Sequence, residues 1–503
     1  MSVYGVKLQR SDDLQLDHHA GACSEETFAQ WCAGRHASGE RLAVDLFSGA
    51  GGLSLGLQEA GWTVAVAVDN DPKALQTHRH NFPGLALARN LGSTEEREQF
   101  LALLEGTKID LVAGGPPCQP FSRAGRSKIR SLVEAGSRAE HDHRRELWMS
   151  FLDIALAVRP RAVLMENVPD MALTDDFLVV RTIVEALEAE GYHTQVRLVD
   201  AWRHGVPQHR KRLILLARLD SPVFSWPKQV ERETTLQDAI GDLPKLGDGI
   251  GARQLTYGRP RRSDFAKAMR RGMASPVVWD HMTRPVRDDD REIFAMMDSR
   301  TLYADIPAHL RRYSADTFDD KYKKLDWHEL SRSITAHIAK DGYWYIHPHE
   351  HRTLTVREAA RVQTFPDSFR FAGTRSDAFR QIGNAVPPLL GQAAATALLP
   401  SEDRTTVGPS SLAVRQSLTQ WALKRKLGAQ WYLLPSKDVT LAVAALVALL
   451  IGHSVQPAEV EQALNLVRGR ERLVAIPSCR LKFVTQAGVS LPNRPLSGDR
   501  SHD

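Results

Sequence analysis

Cys118 lies in the segment Gly114-Gly115-Pro116-Pro117-Cys118-Gln119-Pro120-Phe121-Ser122, directly after the apolar run Ile109–Ala113. Two prolines stiffen that turn and present the thiol at the carboxyl end of a strand, where α/β proteins bind ligands. A thiol so placed is a candidate nucleophile. The commoner fate of cysteine, as a small buried hydrophobe, suits a rigid Pro-Pro-Cys-Gln-Pro loop poorly. Met165-Glu166-Asn167-Val168-Pro169 ends a second apolar strand, and a carboxylate there is costly to bury without a partner or a task. In Gln208-His209-Arg210-Lys211-Arg212, which leads into a third such run, Arg210 and Arg212 share one face of a strand.

A second group of residues suits a cofactor. Asp45-Leu46-Phe47-Ser48-Gly49-Ala50-Gly51-Gly52-Leu53 follows a strand, and glycines at a strand-to-helix turn let backbone approach a ligand closely. Asp69 ends the next strand, where a carboxylate can accept both ribose hydroxyls of an adenosine. Taken alone, this pattern leaves open a nicotinamide enzyme or a glycine turn with no ligand. The spacing is not that of the GxGxxG dinucleotide motif.

The elements that must position these groups alternate in type. Apolar runs at Leu42–Phe47, Val64–Val68, Ile109–Ala113, Ala162–Met165 and Arg212–Ala217 are separated by helix-length spacers. This predicts a doubly wound α/β core, a mostly parallel sheet with helices on both faces. Residues 1–40 read as a variable lead-in and 41–218 as the catalytic domain. Residues 219–330, rich in Pro, Arg and Asp, read as a separate smaller module. Residues 331–400 return to the catalytic domain, with helices expected at Thr355–Thr364 and in Val386–Leu399. Residues 401–503 read as a helical C-terminal extension.

With 503 residues, 43% of them hydrophobic and 25% charged, the chain has the composition of a soluble multidomain protein. Its four cysteines form no close CxxC pair, so neither a disulfide framework nor a zinc site is indicated, and a reduced, cytoplasmic setting fits. The run Val439–Ile451 is too short to span a bilayer, and no signal peptide opens the chain. The net charge of +5 is unevenly spread: from Arg253 to Arg271 seven basic residues (Arg253, Arg259, Arg261, Arg262, Lys267, Arg270, Arg271) face one acid, Asp264. That run suits a phosphate backbone, although most such runs are only solvated surface. His347, His349 and His351 alternate in a polar loop, and no metal site is assigned to them.

DLFSGAGGLSLGL, GGPPCQPFS, ENVP, QHRKRLILLA, RTLTVREAARVQTFPDSF and QIGNAVPP together resemble the motifs of the C5-cytosine DNA methyltransferase family, in the family's order, from about Arg41 to Leu399. The resemblance implies a Rossmann-like methyltransferase fold with S-adenosyl-L-methionine as methyl donor and double-stranded DNA as substrate. It implies that the Cys118 thiolate attacks carbon 6 of cytosine, making carbon 5 able to take a methyl group. Glu166 would hydrogen-bond N3 and the exocyclic amine, Arg212 would hold O2, Arg210 would support the charge of the intermediate, and Asn167 would position the glutamate and the catalytic loop. Phe47, Ser48, Gly49 and Gly51 would line the cofactor pocket, Asp69 would bind the ribose, and Pro117, Leu147 and Asn384 would bound it. Where the family often carries an acid after the third strand, this chain has Asn90, a substitute acceptor for the adenine amine.

The resemblance extends to two DNA-facing segments. Arg123–Arg145, with seven basic residues, is similar to the family's mobile loop that closes on DNA when the base is extruded. Residues 219–330 take the place of its target-recognition domain, where arginines can read guanine. A monomer on DNA in the bacterial nucleoid is implied, with a restriction endonuclease or defence proteins as separate partners and no membrane. Three other readings are an RNA (tRNA) cytosine-5 methyltransferase, a DNA-binding regulator without activity and an exocyclic-amine methyltransferase. The first tends to lack so large an insert, the second is expected to lose Cys118 or Glu166, and the third uses no thiol.

Overall fold

The computed structural model of the chain describes residues 11–117, 147–171, 178–258, 260, 263–273, 276–311, 322–340 and 342–400. The expected C-terminal extension and the apolar run Val439–Ile451 lie outside them. Nine strands are found among the described residues: β1 (Leu42–Leu46), β2 (Thr63–Asp69), β3 (Leu85–Ala88), β4 (Leu111–Gly114), β5 (Ala162–Asn167), β6 (His193–Asp200), β7 (Lys211–Arg218), β8 (Gly251–Thr256) and β9 (Val277–Met282). The first seven form one sheet in the order β3-β2-β1-β4-β5-β7-β6, and β8 and β9 pair separately. The helices, in chain order, are α1 (Phe28–Ala37), α2 (Gly52–Glu59), α3 (Pro72–Asn81), α4 (Thr94–Leu104), α5 (Leu147–Val158), α6 (Leu178–Ala189), α7 (Leu236–Ile240), α8 (Asp264–Met269), α9 (Asp288–Met296), α10 (Val356–Val362), α11 (Arg375–Asn384) and α12 (Pro388–Thr396).

The sheet is parallel except at β7, which runs antiparallel to both β5 and β6. The run Arg212–Ala217, expected among the parallel strands, is therefore reversed. Parallel neighbours need a crossover of about a dozen residues or more, and residues 201–210 allow only a return. β6 is a half-buried edge strand, so no continuous apolar run marks it in the sequence. β1 and β4, by contrast, are buried at every position, as parallel strands covered on both faces must be.

Local chemistry sets the helix starts. Asp71 caps α3, its carboxylate accepting from the Lys73 and Ala74 amides at 3.0 and 3.3 Å, and Pro72 occupies the first turn. Thr355 and Glu358 form a reciprocal capping box on α10, as do Thr374 and Asp377 on α11. Helices α2 and α12 touch backbone to backbone: a Cβ on Gly56 would lie 2.6 Å from the Gln392 amide nitrogen.

Residues of the inserted segment and of the return share one core. Leu236, Ala239, Ile240, Leu243 and Val278 cluster with Val356, Ala359, Ala360 and Phe365. A buried charge network reinforces that seam. The Arg361 guanidinium pairs with Asp242 and, at 2.6 Å, with Asp367, while Arg270 reaches Asp242 at 3.2 Å. Arg361→Ala takes the best-placed cation from two buried carboxylates, leaving Asp242 to Arg270 and Asp367 to Tyr257 and the more distant Arg357, and is expected to cost about 3 kcal/mol. Denaturant unfolding measures this; a loss under about 1 kcal/mol contradicts it.

Candidate active site

The order of strands reverses at the junction of β1 and β4, and ligands of open α/β sheets bind beyond the carboxyl ends of the strands at such a point. A cleft of about 1140 Å³ opens there. Its walls carry Phe47, Ser48 and Gly49 after β1, Asp69 at the end of β2, and Asn90 after β3. Pro117 follows β4, Glu166 and Asn167 end β5, and Arg210 and Arg212 flank the start of β7. Leu147 at the head of α5 and Asn384 at the end of α11 complete the enclosure. Residues distant in sequence thus meet in one space. Gly51 is absent from the wall and stands behind it. Cys118 lies outside the described residues, as does the loop Arg123–Arg145; Pro117, the residue before Cys118, is on the wall.

Gly51 is held at φ 97°, and a Cβ there would fall 2.3 Å from Phe82 Cε2 and 2.9 Å from His78 Cδ2. Its lack of a side chain lets the turn fold down onto the His78–Phe82 stack, whose rings are 4.3 Å apart. Gly51→Ala is expected to lower stability by about 1–3 kcal/mol and to weaken cofactor binding. Thermal melts and calorimetric titration measure both; an unchanged melting temperature contradicts the packing argument. Asp69 fastens the same turn from β2. Its Oδ2 accepts the Gly49 amide at 2.8 Å and its Oδ1 the Asp71 amide at 2.8 Å, while burial pushes its carboxyl above the ordinary range. The Asn90 carbonyl oxygen already accepts the Gly92 amide at 3.1 Å.

At the other end of the cleft, Glu166 is 8% exposed, and its Oε1 is 2.7 Å from the Arg212 Nε. This ion pair exists because β7 lies beside β5 in the sheet. Asn167 donates from Nδ2 to the Pro116 carbonyl at 3.1 Å and accepts the Val168 amide at 2.8 Å. It therefore ties the end of β5 to the turn that leads to Cys118. Arg210 is buried and donates to the Ile334 carbonyl at 2.5 Å, the Ser333 hydroxyl at 3.3 Å and the Ala385 carbonyl at 3.0 Å. It holds the return segment against the cleft.

Asp45, Ser54 and His78, to which the sequence assigns no role, also meet in this neighbourhood. The Ser54 hydroxyl lies 2.5 Å from Asp45 Oδ2 and 2.9 Å from His78 Nε2. The available signal was a carboxylate inside an otherwise apolar strand. Two of the arginines expected to suit phosphates are turned inward instead. Arg253 pairs with Asp280 at 3.0 Å, and Arg270 pairs with Asp242 and stacks 3.6 Å over the Tyr257 ring. The acids that hold them come from other segments, so local charge along the chain carries no sign of the pairing. Arg259, Arg261 and Arg262 lie outside the described residues. His347 serves its own turn, its Nδ1 accepting the His349 and Glu350 amides at 3.1 and 3.0 Å. Among the described residues, no helix is long and apolar enough to cross a membrane.

A mostly parallel seven-stranded sheet with one reversed strand, and a cleft built on a glycine turn and a strand-end carboxylate, define a Rossmann-like methyltransferase. Residues 42–399 match the family model described as C-5 cytosine-specific DNA methylase, and the chain belongs to that family. Its reaction is accordingly methylation of carbon 5 of cytosine in DNA. The Type II methyltransferase M.XorII of Xanthomonas oryzae pv. oryzae is 33% identical over 395 residues, covering 74% of this chain and 87% of that one. The Type II methyltransferase M1.HphI of Haemophilus parahaemolyticus is 33% identical over 357 residues, covering 71% and 86%. Among solved structures, a prophage-encoded DNA modification methyltransferase of E. coli superposes with TM-score 0.57 at 25% identity, covering 71% of this chain and 98% of that one.

Enzymes of this class draw their methyl group from S-adenosylmethionine, and the cleft fits such a ligand. Ser48 Oγ and Asp45 Oδ1 are buried there without hydrogen-bond partners, beside a turn whose glycine cannot carry a side chain.

Proposed function

We propose that the chain is a sequence-specific modification enzyme that methylates an extruded cytosine in duplex DNA, using Cys118 as nucleophile and S-adenosylmethionine as donor. The observation that carries this reading is the Glu166–Arg212 ion pair on the wall shared with Pro117 and the glycine turn. A carboxyl and a guanidinium side by side match the edge of cytosine: N3 and the amine face Glu166, and O2 faces Arg212. The Cys118 sulfur forms a bond to carbon 6, and a proton shared by Glu166 at N3 offsets the charge entering the ring. Carbon 5 then takes the methyl group; loss of its proton and departure of the thiolate restore the aromatic ring. Bound S-adenosylmethionine supplies an electrophilic methyl group.

Asn167 steadies the turn before Cys118, and Arg210 fixes the return segment behind the base. Phe47, Ser48, Gly49 and Asp69 receive the adenosine and methionine, with Gly51 shaping the turn and Asn90, Leu147 and Asn384 bounding the ligand. Residues 219–330 read the DNA. The relatives named Type II methyltransferases support a role in restriction–modification, with any nuclease a separate chain.

The test is transfer of labelled methyl groups to duplex DNA and, in parallel, to transfer RNA, followed by bisulfite sequencing of DNA from expressing cells. Methylation at one recurring sequence in duplex DNA is expected. Transfer to RNA alone overturns the reading.

A further inference from the structure

Residues 11–14 of the lead-in fasten together three parts of the chain that lie far apart in sequence. The Ser11 hydroxyl accepts the Arg375 amide at 2.7 Å, in the first turn of α11. Lys73 of α3 donates to both oxygens of the Asp13 carboxylate at 2.8 Å. Leu14 pairs with Gly373 in both directions, its amide donating at 3.0 Å and its carbonyl accepting at 2.8 Å. Arg253 of β8 closes the set. Its Nη2 donates to the Asp12 carbonyl at 2.6 Å and to the Gly373 carbonyl at 2.8 Å. Its Nη1 meets Asp280 of β9 at 3.0 Å. The Gly373 carbonyl therefore accepts from the lead-in and from the β8–β9 hairpin at once.

These contacts bury little apolar surface, since Asp12 and Asp13 are exposed and Leu14 is only half-buried. What they supply is direction rather than core. Direction is what β8 and β9 lack alone, because an isolated two-stranded hairpin holds its shape poorly in water. Val278 of β9 packs into the core with Val356 and Ala359 of α10, while Ala252, Gln254 and Thr256 of β8 stay exposed. A two-stranded ribbon fits the major groove of DNA, where Gln and Thr side chains can bond base edges. From the same junction α11 runs to Asn384 on the cleft wall, and its Arg380 pairs with Asp71 at 3.0 Å. One helix thus links the ribbon's anchor to the cleft.

We propose that residues 11–14 and Arg253 form a strap that aims the β8–β9 ribbon at the DNA, making Arg253 a positioning residue for sequence choice. A ribbon held at one angle leaves polar groups unpaired at a wrong base pair; a ribbon free to tilt accommodates that pair. The inference rests on the reading of residues 219–330 as the segment that reads DNA.

Full-length Arg253→Met and Leu14→Pro test it, on duplexes carrying the recurring methylated sequence or that sequence with one base pair changed. Methionine cuts the link between strap and hairpin and leaves Asp280 with Arg370 at 3.3 Å. Proline removes the Leu14 amide. In both variants the ratio of kcat/KM for the intact site to that for the altered site is expected to fall about tenfold, with donor affinity unchanged. A merely structural loss would lower the melting temperature and slow both duplexes alike. An unmoved ratio in the folded variants overturns the strap and leaves the recognition segment standing. A wild-type enzyme that methylates both duplexes equally overturns the recognition reading itself. Should Arg253→Met fail to fold by circular dichroism, Arg253→Lys serves: it keeps a charge for Asp280 but cannot fork to the two carbonyls, and an unmoved ratio there overturns the proposal.

Discussion

Cys118→Ser is expected to lower the rate of methyl transfer to DNA by at least about a thousandfold while leaving DNA and cofactor affinity within a few-fold. A serine hydroxyl is hardly ionised near neutral pH, so the addition to carbon 6 fails and carbon 5 stays too poor a nucleophile. The substitution removes one sulfur atom and little volume, so lost activity cannot be charged to lost folding. A second readout needs no rate. Duplex DNA with 5-fluorocytosine at the target should become covalently trapped on the wild-type enzyme in the presence of donor, because fluorine cannot leave as the proton does. The serine variant should trap none. Residual activity within tenfold of wild type, or trapping by the variant, removes the thiol from the mechanism and favours an exocyclic-amine chemistry.

Glu166→Gln is expected to reduce kcat by about 10² to 10⁴, with a much smaller change in the KM for DNA. Glutamine keeps the shape and can still meet the cytosine amine, but it cannot share a proton at N3. The variant also leaves the Arg212 guanidinium, 13% exposed at its side chain, without its counter-charge. Part of the loss therefore comes from Arg212 rather than from Glu166 itself. Arg212→Met and the double variant separate the two. If the pair acts as one device, the double variant should lose little more than the worse single one. Simple addition of the two losses means independent roles. A Glu166→Gln enzyme with unchanged kcat ends the case for proton sharing.

Residue types and local spacing determined a good deal of this protein. The glycine turn at 49–52, Asp69 and Glu166 each sit where an apolar run stops, because a strand buried on both faces must exchange apolar residues for polar ones where it leaves the sheet. That rule points to the glycine turn, Asp69 and Glu166, whereas Asn90, Leu147 and Asn384 are implied only by the family resemblance. Helix starts such as Asp71-Pro72 and Thr355–Glu358 were equally local, since a cap is satisfied by its own next few amides.

Three matters were decided only in three dimensions. β7 runs antiparallel because its connection to β6 is short, and that placement alone brings Arg212 within 2.7 Å of Glu166. Arg253 and Arg270 turned inward because Asp280 and Asp242 arrive from other parts of the chain. Asp45 is fully buried because Ser54 and His78, brought in by two helices, close around it. Local sequence specifies groups that interact with near neighbours along the chain. Charge pairing and desolvation depend on distance through space, and those distances exist only after the sheet has assembled.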